Sequence, residues 1–219
     1  MPIDQLLLFV AAGLLLNLTP GPDVLYIVSN ALRGGARAGM VAALGITAGC
    51  FVHIFAAAVG VSALMVASTT AFTVLKWLGT AYLVYVGLRL LLSKPSSAMT
   101  LEANNSYPVG AIGQKNFKAI FLRGFWTNAL NPKVALFFLA FLPQFIGPTV
   151  AHKPLAFLLL GLLFNFNGLW VNLGWALAAA WLAGRATLVQ RSMHWLDRIA
   201  GVLFISFGIK LALTDSPNA

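Results

Sequence analysis

The hydrophobic and polar positions of the chain form long apolar stretches separated by short polar connections. Six stretches contain about twenty or more apolar or small residues, and about twenty such residues in a helix cross the hydrocarbon core of a bilayer. The pattern therefore predicts an all-α membrane protein with six transmembrane helices. The predicted helices lie near residues 5–29, 39–67, 72–92, 120–146, 154–183 and 195–213.

Two of the six stretches contain a polar, proline-containing break near their middle. The first break is Asn17-Leu18-Thr19-Pro20-Gly21-Pro22-Asp23, and the second is Asn128-Ala129-Leu130-Asn131-Pro132-Lys133. Proline removes a backbone donor and pushes the preceding residue out of helical geometry, so helices one and four must stop and restart at mid-membrane. Irregular backbone survives there only where it faces protein or a water-filled cavity. Paired breaks at matching positions therefore predict the binding site of a transporter.

The two halves of the chain resemble each other. Residues 83–90 align with residues 204–211, glycine on glycine and base on base, and residues 22–24 align with residues 132–134. Because each copy has three helices, an odd number, the second copy enters the membrane from the opposite side and forms an inverted repeat. The predicted organisation is a first repeat over 1–92, a polar cytoplasmic linker over 93–118, a second repeat over 119–213 and a short tail over 214–219.

Composition supports the membrane class and excludes several others. With 60% hydrophobic and 9% charged residues, the chain lacks the surface of a soluble protein. No basic residue precedes the first apolar stretch and no small-residue cleavage site follows it, so we expect the first helix to be retained. Cys50 is the one cysteine, which excludes an internal disulfide, and we expect it to pack in the core.

The net charge of +9 is explained by orientation in the membrane. The basic residues do not form a stripe with interleaved aromatics, so they do not indicate nucleic-acid binding. Most lie in or beside the first, third and fifth connections, and basic connections face the cytoplasm. The predicted topology therefore places both termini outside. The basic residues concerned are Arg33, Arg37, Arg89, Lys94, Lys115, Lys118, Arg123, Arg185, Arg191 and Arg198.

Three ionisable residues fall at membrane depth, where such groups are costly and usually mark a substrate or ion path: Asp23, His53 and Lys133. Asp23 and Lys133 are equivalent positions of the two copies, so we expect them to approach each other near the repeat axis. The pair is interpreted as a structural salt bridge, a gate or a binding pair, and these roles are compatible. Asp23 and His53 are the candidates for a coupling proton, with hydrogen-bonded packing the alternative for His53.

Each break creates a new helix N-terminus, with proline suited to its first position and Asn131 suited to its cap. Backbone N–H groups there attract an anion, and carbonyls released before the break attract an ammonium group or another cation. This chemistry fits a zwitterion such as an amino acid. The predicted substrate-binding residues are Asn17, Thr19, Pro20, Gly21, Pro22, Asn128, Asn131, Pro132 and Lys133.

Helices two and five each have one face of small or polar residues. Gly45, Gly49 and His53 are spaced four apart in helix two, and Asn165 and Asn172 share a face of helix five. Such faces permit close packing of helices, which is one interpretation, and they also line cavities, which is the other. Gly49, Asn165 and Asn172 are the predicted cavity-lining residues.

Other classes of protein find little support. The chain has no Walker loop, no dinucleotide fingerprint and no clustered metal ligands, so we expect no cofactor, no bound metal and no ATP-driven transport. An enzyme is not expected. A channel remains an alternative, distinguished by flux that does not saturate. The expected partners are a small-molecule substrate, protons and membrane lipids, without nucleic acid, and the oligomeric state is open, a homo-oligomer included.

The break motifs, together with residues 33–39, 45–49 and 76–83, resemble those of the LysE superfamily of bacterial amino-acid exporters. The likeness is greatest to the RhtB, homoserine/threonine-type branch and covers nearly the whole chain apart from the linker and tail. The resemblance implies a secondary exporter in the bacterial cytoplasmic (inner) membrane that expels neutral amino acids or related metabolites in exchange for protons. Export of basic amino acids or of a metal cation, within the same superfamily, is the alternative.

Overall fold

The structure is a computed structural model, and within the residues it describes the chain is helical and contains no strand. It describes residues 3–67, 69–92, 116–147 and 150–182, with the pairs 198–199, 201–202, 205–206 and 208–209. The helices are α1 (Ile3–Leu18), α2 (Pro22–Ala56), α3 (Ser62–Ala67), α4 (Thr69–Leu91), α5 (Phe117–Ala129), α6 (Pro132–Leu136) and α7 (Lys153–Trp181). The all-α class is confirmed. Most of the predicted linker and sixth helix, and the whole tail, lie outside the described residues.

Both predicted interruptions are present. Helix α1 ends at Leu18 and α2 begins at Pro22, while α5 ends at Ala129 and α6 begins at Pro132. Beyond α6 the chain forms a π-helical turn over Phe137–Phe141 and a 3₁₀ turn over Leu142–Phe145. This second interrupted span bends by 43° at its break. A second π-helical turn, over Ala57–Val61, connects α2 to α3.

Helix α2 folds back on itself at Gly35. The helical stretch from Pro22 to Leu64 has 43 residues, about twice the length of one crossing. Gly35 has φ of 76°, which is the left-handed region that only glycine adopts freely, and Ala31 lies against Gly39. The predicted connection near residues 30–38 is thus helical on both sides of a one-residue turn. We call its two parts the first arm (22–34) and the second arm (36–56) of α2.

The second arm of α2 packs parallel to α5, and glycines permit the close approach. Gly45 lies against the backbone of Phe121, and Gly49 lies against that of Phe125. A Cβ atom placed on either glycine would come 2.3 Å from the phenylalanine carbonyl oxygen, so no other residue fits there without a shift of the backbone.

Helix α7 packs against α1, which belongs to an interrupted span, and against the second arm of α2, which is uninterrupted. It runs parallel to α1 and antiparallel to the second arm. Along α1, Gly13 lies against Phe164 and Asn17 lies against Gly168, so α1 and α7 are parallel. Along the second arm of α2 the direction reverses. Gly39 lies against Ala176 at one end, and Ile54 lies against Gly161 at the other.

Helix α4 packs antiparallel to the described part of residues 201–209. Gly87 approaches the carbonyl oxygen of Gly201, and Gly208 lies against Val84 and the carbonyl oxygen of Thr80. Small residues again allow the two backbones to meet closely, as is common between helices in membranes.

Two apolar layers of different composition lie on either side of the polar breaks. One layer contains a cluster of aromatic rings from α1, the stretch after α6, and the beginning of α7. Its phenylalanines are Phe9, Phe137, Phe138, Phe141, Phe145, Phe157 and Phe164. The opposite layer, around the turn at Gly35, is built from smaller side chains such as Val28, Ala31, Ala42 and Ala176. The polar breaks are therefore enclosed between two apolar layers.

Candidate functional site

The two breaks lie beside one cavity whose wall comes from both halves of the chain. The cavity contains about 410 Å³ of empty space when its open mouth is included, but its inner part has room for only about one water molecule. A ligand larger than water would therefore enter only if the walls parted. The wall consists of Leu16, Asn17, Asp23, Val24, Ile46, Thr47, Cys50, Asn128, Lys133, Val134, Phe164, Asn165, Gly168 and Asn172.

Lys133 reaches from the second break to the first. Its Nζ donates a hydrogen bond of 2.9 Å to the backbone carbonyl of Thr19, which is released where α1 ends. A cation at the C-terminal end of a helix is also favoured by the helix dipole. The hydroxyl of Thr19 turns away, donating to the carbonyl of Leu15 at 2.6 Å, so Thr19 offers its backbone to Lys133.

Asp23 makes the reciprocal contact. It lies in the first turn of α2, and its Oδ2 accepts a hydrogen bond of 2.9 Å from Nδ2 of Asn128, the first residue of the second break. Asp23 and Lys133 thus line the same cavity, and each contacts the break of the opposite half. The sequence predicted that these equivalent positions approach each other, and the structure brings them together at one wall.

Asn128 also connects the second break to His53. The Nε2 atom of His53 lies 2.8 Å from the carbonyl oxygen of Asn128, and because a carbonyl only accepts, Nε2 carries the proton. The imidazole is buried and stacks against Phe138, with ring centroids 6.1 Å apart. His53 does not belong to the cavity wall. The hydrogen bond ties α2 to the end of α5.

The second break carries its own cap, whereas the first does not. Asn131 Oδ1 accepts a hydrogen bond of 3.0 Å from the backbone N–H of Lys133, and Pro132 occupies the first turn of α6. At the first break, Gly21 precedes Pro22 in extended geometry, and within the described part of the chain no side chain caps α2. Pro20 lies in the non-helical connection between α1 and α2.

Several polar atoms at the breaks are buried without a hydrogen-bond partner. In the cavity wall these are the donor Asn17 Nδ2 and the acceptors Asp23 Oδ1 and Asn128 Oδ1, and beside it Asn131 Nδ2. A buried polar group left unpaired costs about 1–3 kcal/mol, so such a concentration favours a place where water or a ligand supplies the missing partners. The unpaired set contains both donors and acceptors.

Helix α7 supplies a polar strip opposite the breaks. Asn165 and Asn172 both lie in the wall, and Asn165 Nδ2 donates to the carbonyl of Thr47 at 3.2 Å. Gly49, which the sequence also assigned to the wall, lies instead at the contact between α2 and α5, against Phe125 and Asn128. Its four-residue spacing from Gly45 marks the packing face.

Most of the apolar wall is not predicted by the sequence pattern. Leu16, Val24 and Val134 adjoin polar break residues in the sequence, which is the signal that would have found them. Thr47 and Cys50 lie on a neighbouring face of the same helix as Gly49, whereas the spacing of the small residues marks the packing face, as the packing interpretation predicts. Cys50 is buried, as expected, but it lies at the cavity wall.

Comparison with known proteins supplies the family. Residues 14–215 match the model of the LysE type translocator family. An uncharacterized membrane protein of Vibrio cholerae is 32% identical, over 97% of this chain and 98% of its own. A leucine efflux protein of Salmonella typhimurium is 26% identical, over 95% of this chain and 94% of its own. No solved structure matches the chain. The chain therefore belongs to the LysE type translocator family, whose members are transporters and include amino-acid exporters.

Proposed function

We propose that this translocator is a secondary exporter that moves a zwitterionic amino acid with a neutral side chain out of the bacterial cytoplasm in exchange for protons. The observation that carries the proposal is the set of unpartnered donor and acceptor atoms that both breaks contribute to one cavity. The leucine efflux relatives support amino-acid export for the family, and the choice of substrate rests on the cavity itself.

The cavity offers complementary ends to the two charged groups of an amino acid. The α-ammonium group, which only donates, fits the unpaired acceptors Asp23 Oδ1 and Asn128 Oδ1. The carboxylate, which only accepts, fits Asn17 Nδ2 and the ammonium group of Lys133. The remaining wall is largely apolar and faces the substrate side chain through Leu16, Ile46, Val134 and Phe164, among others.

The charges of the wall disfavour the two alternatives within the superfamily. A basic amino acid would bring a second cation, and among the described residues of the cavity wall Asp23 is the one carboxylate. A metal cation would require several oxygen or sulfur ligands. Within the described residues, no three His, Cys, Asp or Glu side chains are grouped so as to hold a metal ion.

We further propose six spans arranged as two inverted repeats that rock about the cavity. The contacts of α4 support this arrangement. Gly87 meets Gly201 and Ile205, and Gly208 meets Thr80 and Val84, so each contact recurs with the two segments exchanged. An exchange of this kind between antiparallel helices is what a twofold axis in the membrane plane produces. The charge distribution then places both termini outside, as the sequence predicts.

Asp23 is the proposed proton carrier, and His53 is assigned a positioning role. Asp23 has an unpaired oxygen at the cavity, where a proton has access through water, whereas His53 is buried outside the wall and bonded to a backbone carbonyl. Four further predicted site residues, Pro20, Gly21, Pro22 and Pro132, act through the backbone. They keep the helices interrupted at the two breaks.

Transport by purified protein in vesicles tests the proposal. Vesicles with an imposed pH gradient should accumulate leucine, and other neutral amino acids in a panel, against their concentration gradients and with saturation. The matched variant Asp23→Asn should remain in the membrane and lose uphill transport. Flux that does not saturate would indicate a channel instead, and uphill transport of lysine or of a divalent cation alone would contradict the neutral substrate.

A further inference from the structure

The geometry points to a single atom, Asp23 Oδ1, that holds either the substrate's ammonium group or the transported proton, so that each excludes the other. The inference rests on the proposed function and names the device that couples its two fluxes. Exchange at this one atom requires no separate proton site. The expected stoichiometry is one proton for each amino acid transported.

Of the two carboxylate oxygens of Asp23, Oδ1 is the one open to a further donor. Its Oδ2 already accepts from Asn128 Nδ2 at 2.9 Å, whereas Oδ1 is buried without a hydrogen bond of normal geometry, and the Asn131 side chain also lies within reach of the carboxylate. Asn128 is itself almost fully buried, 4% exposed, and its own Oδ1 is likewise unpaired at the same wall. The two unpaired acceptors are the atoms to which an ammonium group would donate.

Among the described residues, the other charged or titratable groups near Asp23 are Lys133, His53 and Cys50. From α6, Lys133 Nζ donates to the Thr19 carbonyl, and from α2, His53 Nε2 donates to the Asn128 carbonyl. Cys50, also on α2, is a buried thiol. Helices α1 and α7 contribute only amides to the polar part of the wall, namely Asn17, Asn165 and Asn172.

Protonation and substrate binding exclude each other because both need the negative charge of the Asp23 carboxylate. A proton on Oδ1 neutralises the carboxylate and leaves it an O–H donor with only weak remaining acceptor capacity, so the ammonium group of the substrate loses its charged acceptor. When the amino acid arrives, the O–H bond of Asp23 breaks, the proton leaves to the cavity water, and the carboxylate accepts a hydrogen bond from the ammonium group. When the amino acid leaves, a proton from water takes its place.

The experiment measures protons released as leucine binds to the purified full-length chain in weakly buffered detergent solution. Wild-type protein should release about one proton per leucine bound at low pH, and the apparent Kd should rise about tenfold for each unit of decrease in pH. The 2-hydroxy acid analogue of leucine, which lacks the ammonium group, should release none. Asp4→Asn, which removes an exposed carboxylate at the start of α1, should behave as wild type.

Three results would overturn the inference. Leucine binding with the same affinity at about pH 5.5 and about pH 8, without proton release at either, would separate the two sites and leave the exporter intact. Proton release that persists in Asp23→Asn would place the proton on another group. If neither leucine nor any other neutral amino acid binds, the proposed function fails together with the inference.

Discussion

The two helix breaks have similar sequences but are held by different parts of the molecule. The second break is capped by its own Asn131 and is tied through the Asn128 carbonyl to His53 on α2. The first break has no side-chain cap, and its released carbonyl, on Thr19, is bound by Lys133 from the other half. Under the proposed function, a substrate carboxylate that attracts Lys133 weakens the support of the first break and leaves that of the second intact. We therefore propose the first break as the part that responds to substrate.

The largest effect is expected from the charge at the first break. Asp23→Asn removes a charged acceptor at the cavity, and loss of a buried charged contact costs about 2–5 kcal/mol, or roughly 30-fold or more in affinity. Leucine affinity should fall by that factor and uphill export should be abolished. Calorimetric titration and vesicle transport measure the two effects. Undiminished proton-driven export would refute the role of Asp23.

Lys133 provides the second test, because it serves both breaks. Lys133→Ala should weaken leucine binding by about 1.5–3 kcal/mol, the value of a hydrogen bond to a charged group. Binding of leucinamide, which has no carboxylate, should change much less. Equal losses for leucine and leucinamide would show that Lys133 acts on the fold rather than on the carboxylate.

The packing that supports the second break is tested at Gly49. Gly49→Ala places a Cβ atom 2.3 Å from the Phe125 carbonyl oxygen, next to Asn128, and overpacking of this kind costs about 1–3 kcal/mol. The melting temperature in detergent should fall. Gly174→Ala is the matched control, because Gly174 is a helical glycine with open space around it. This variant should leave the melting temperature unchanged or slightly raised. Equal melting temperatures of the two variants would contradict the close approach of α2 and α5.

The smallest effect is expected when the helix N-termini at the two breaks, one capped and one uncapped, are compared directly. Asn131→Ala removes the cap of α6 and should destabilise the protein by about 0.5–2 kcal/mol. Gly21→Ala removes no cap, and its Cβ would be in ordinary contact with Lys133, so stability should change by less than about 0.5 kcal/mol. Thermal melting of the two variants side by side measures the difference. A larger loss for Gly21→Ala would reverse the assignment of the rigid and the responsive break.

The sequence predicted the breaks and most of their polar residues because proline within an apolar stretch has few physical explanations. Asp23, Lys133, Asn17 and Asn128 were identified for the same reason, since polar groups are costly in hydrocarbon. The sequence did not predict that His53 bonds a backbone carbonyl. Such contacts depend on how far one helix slides along another, and the spacing of residues within a helix does not contain that information.

The turn between the first two spans shows a related limit. A polar connection was expected near residues 30–38, and the structure keeps both sides helical and reverses the chain at Gly35 alone. Three other glycines lie at positions 34, 39 and 45, and the sequence gives no reason to prefer one of them for the left-handed conformation. The choice is made by the packing of the two arms, with Ala31 against Gly39.

The most direct test of a substrate site between the breaks uses Cys50, the one cysteine of the chain, which lies in the cavity wall. The rate at which a small thiol reagent labels Cys50 in membranes is measured with increasing leucine, with Cys50→Ala as the blank. Leucine should slow the labelling of Cys50 with saturation, half-maximally at the concentration that gives half-maximal transport. Labelling that proceeds at the same rate at saturating leucine would rule out a substrate site between the breaks.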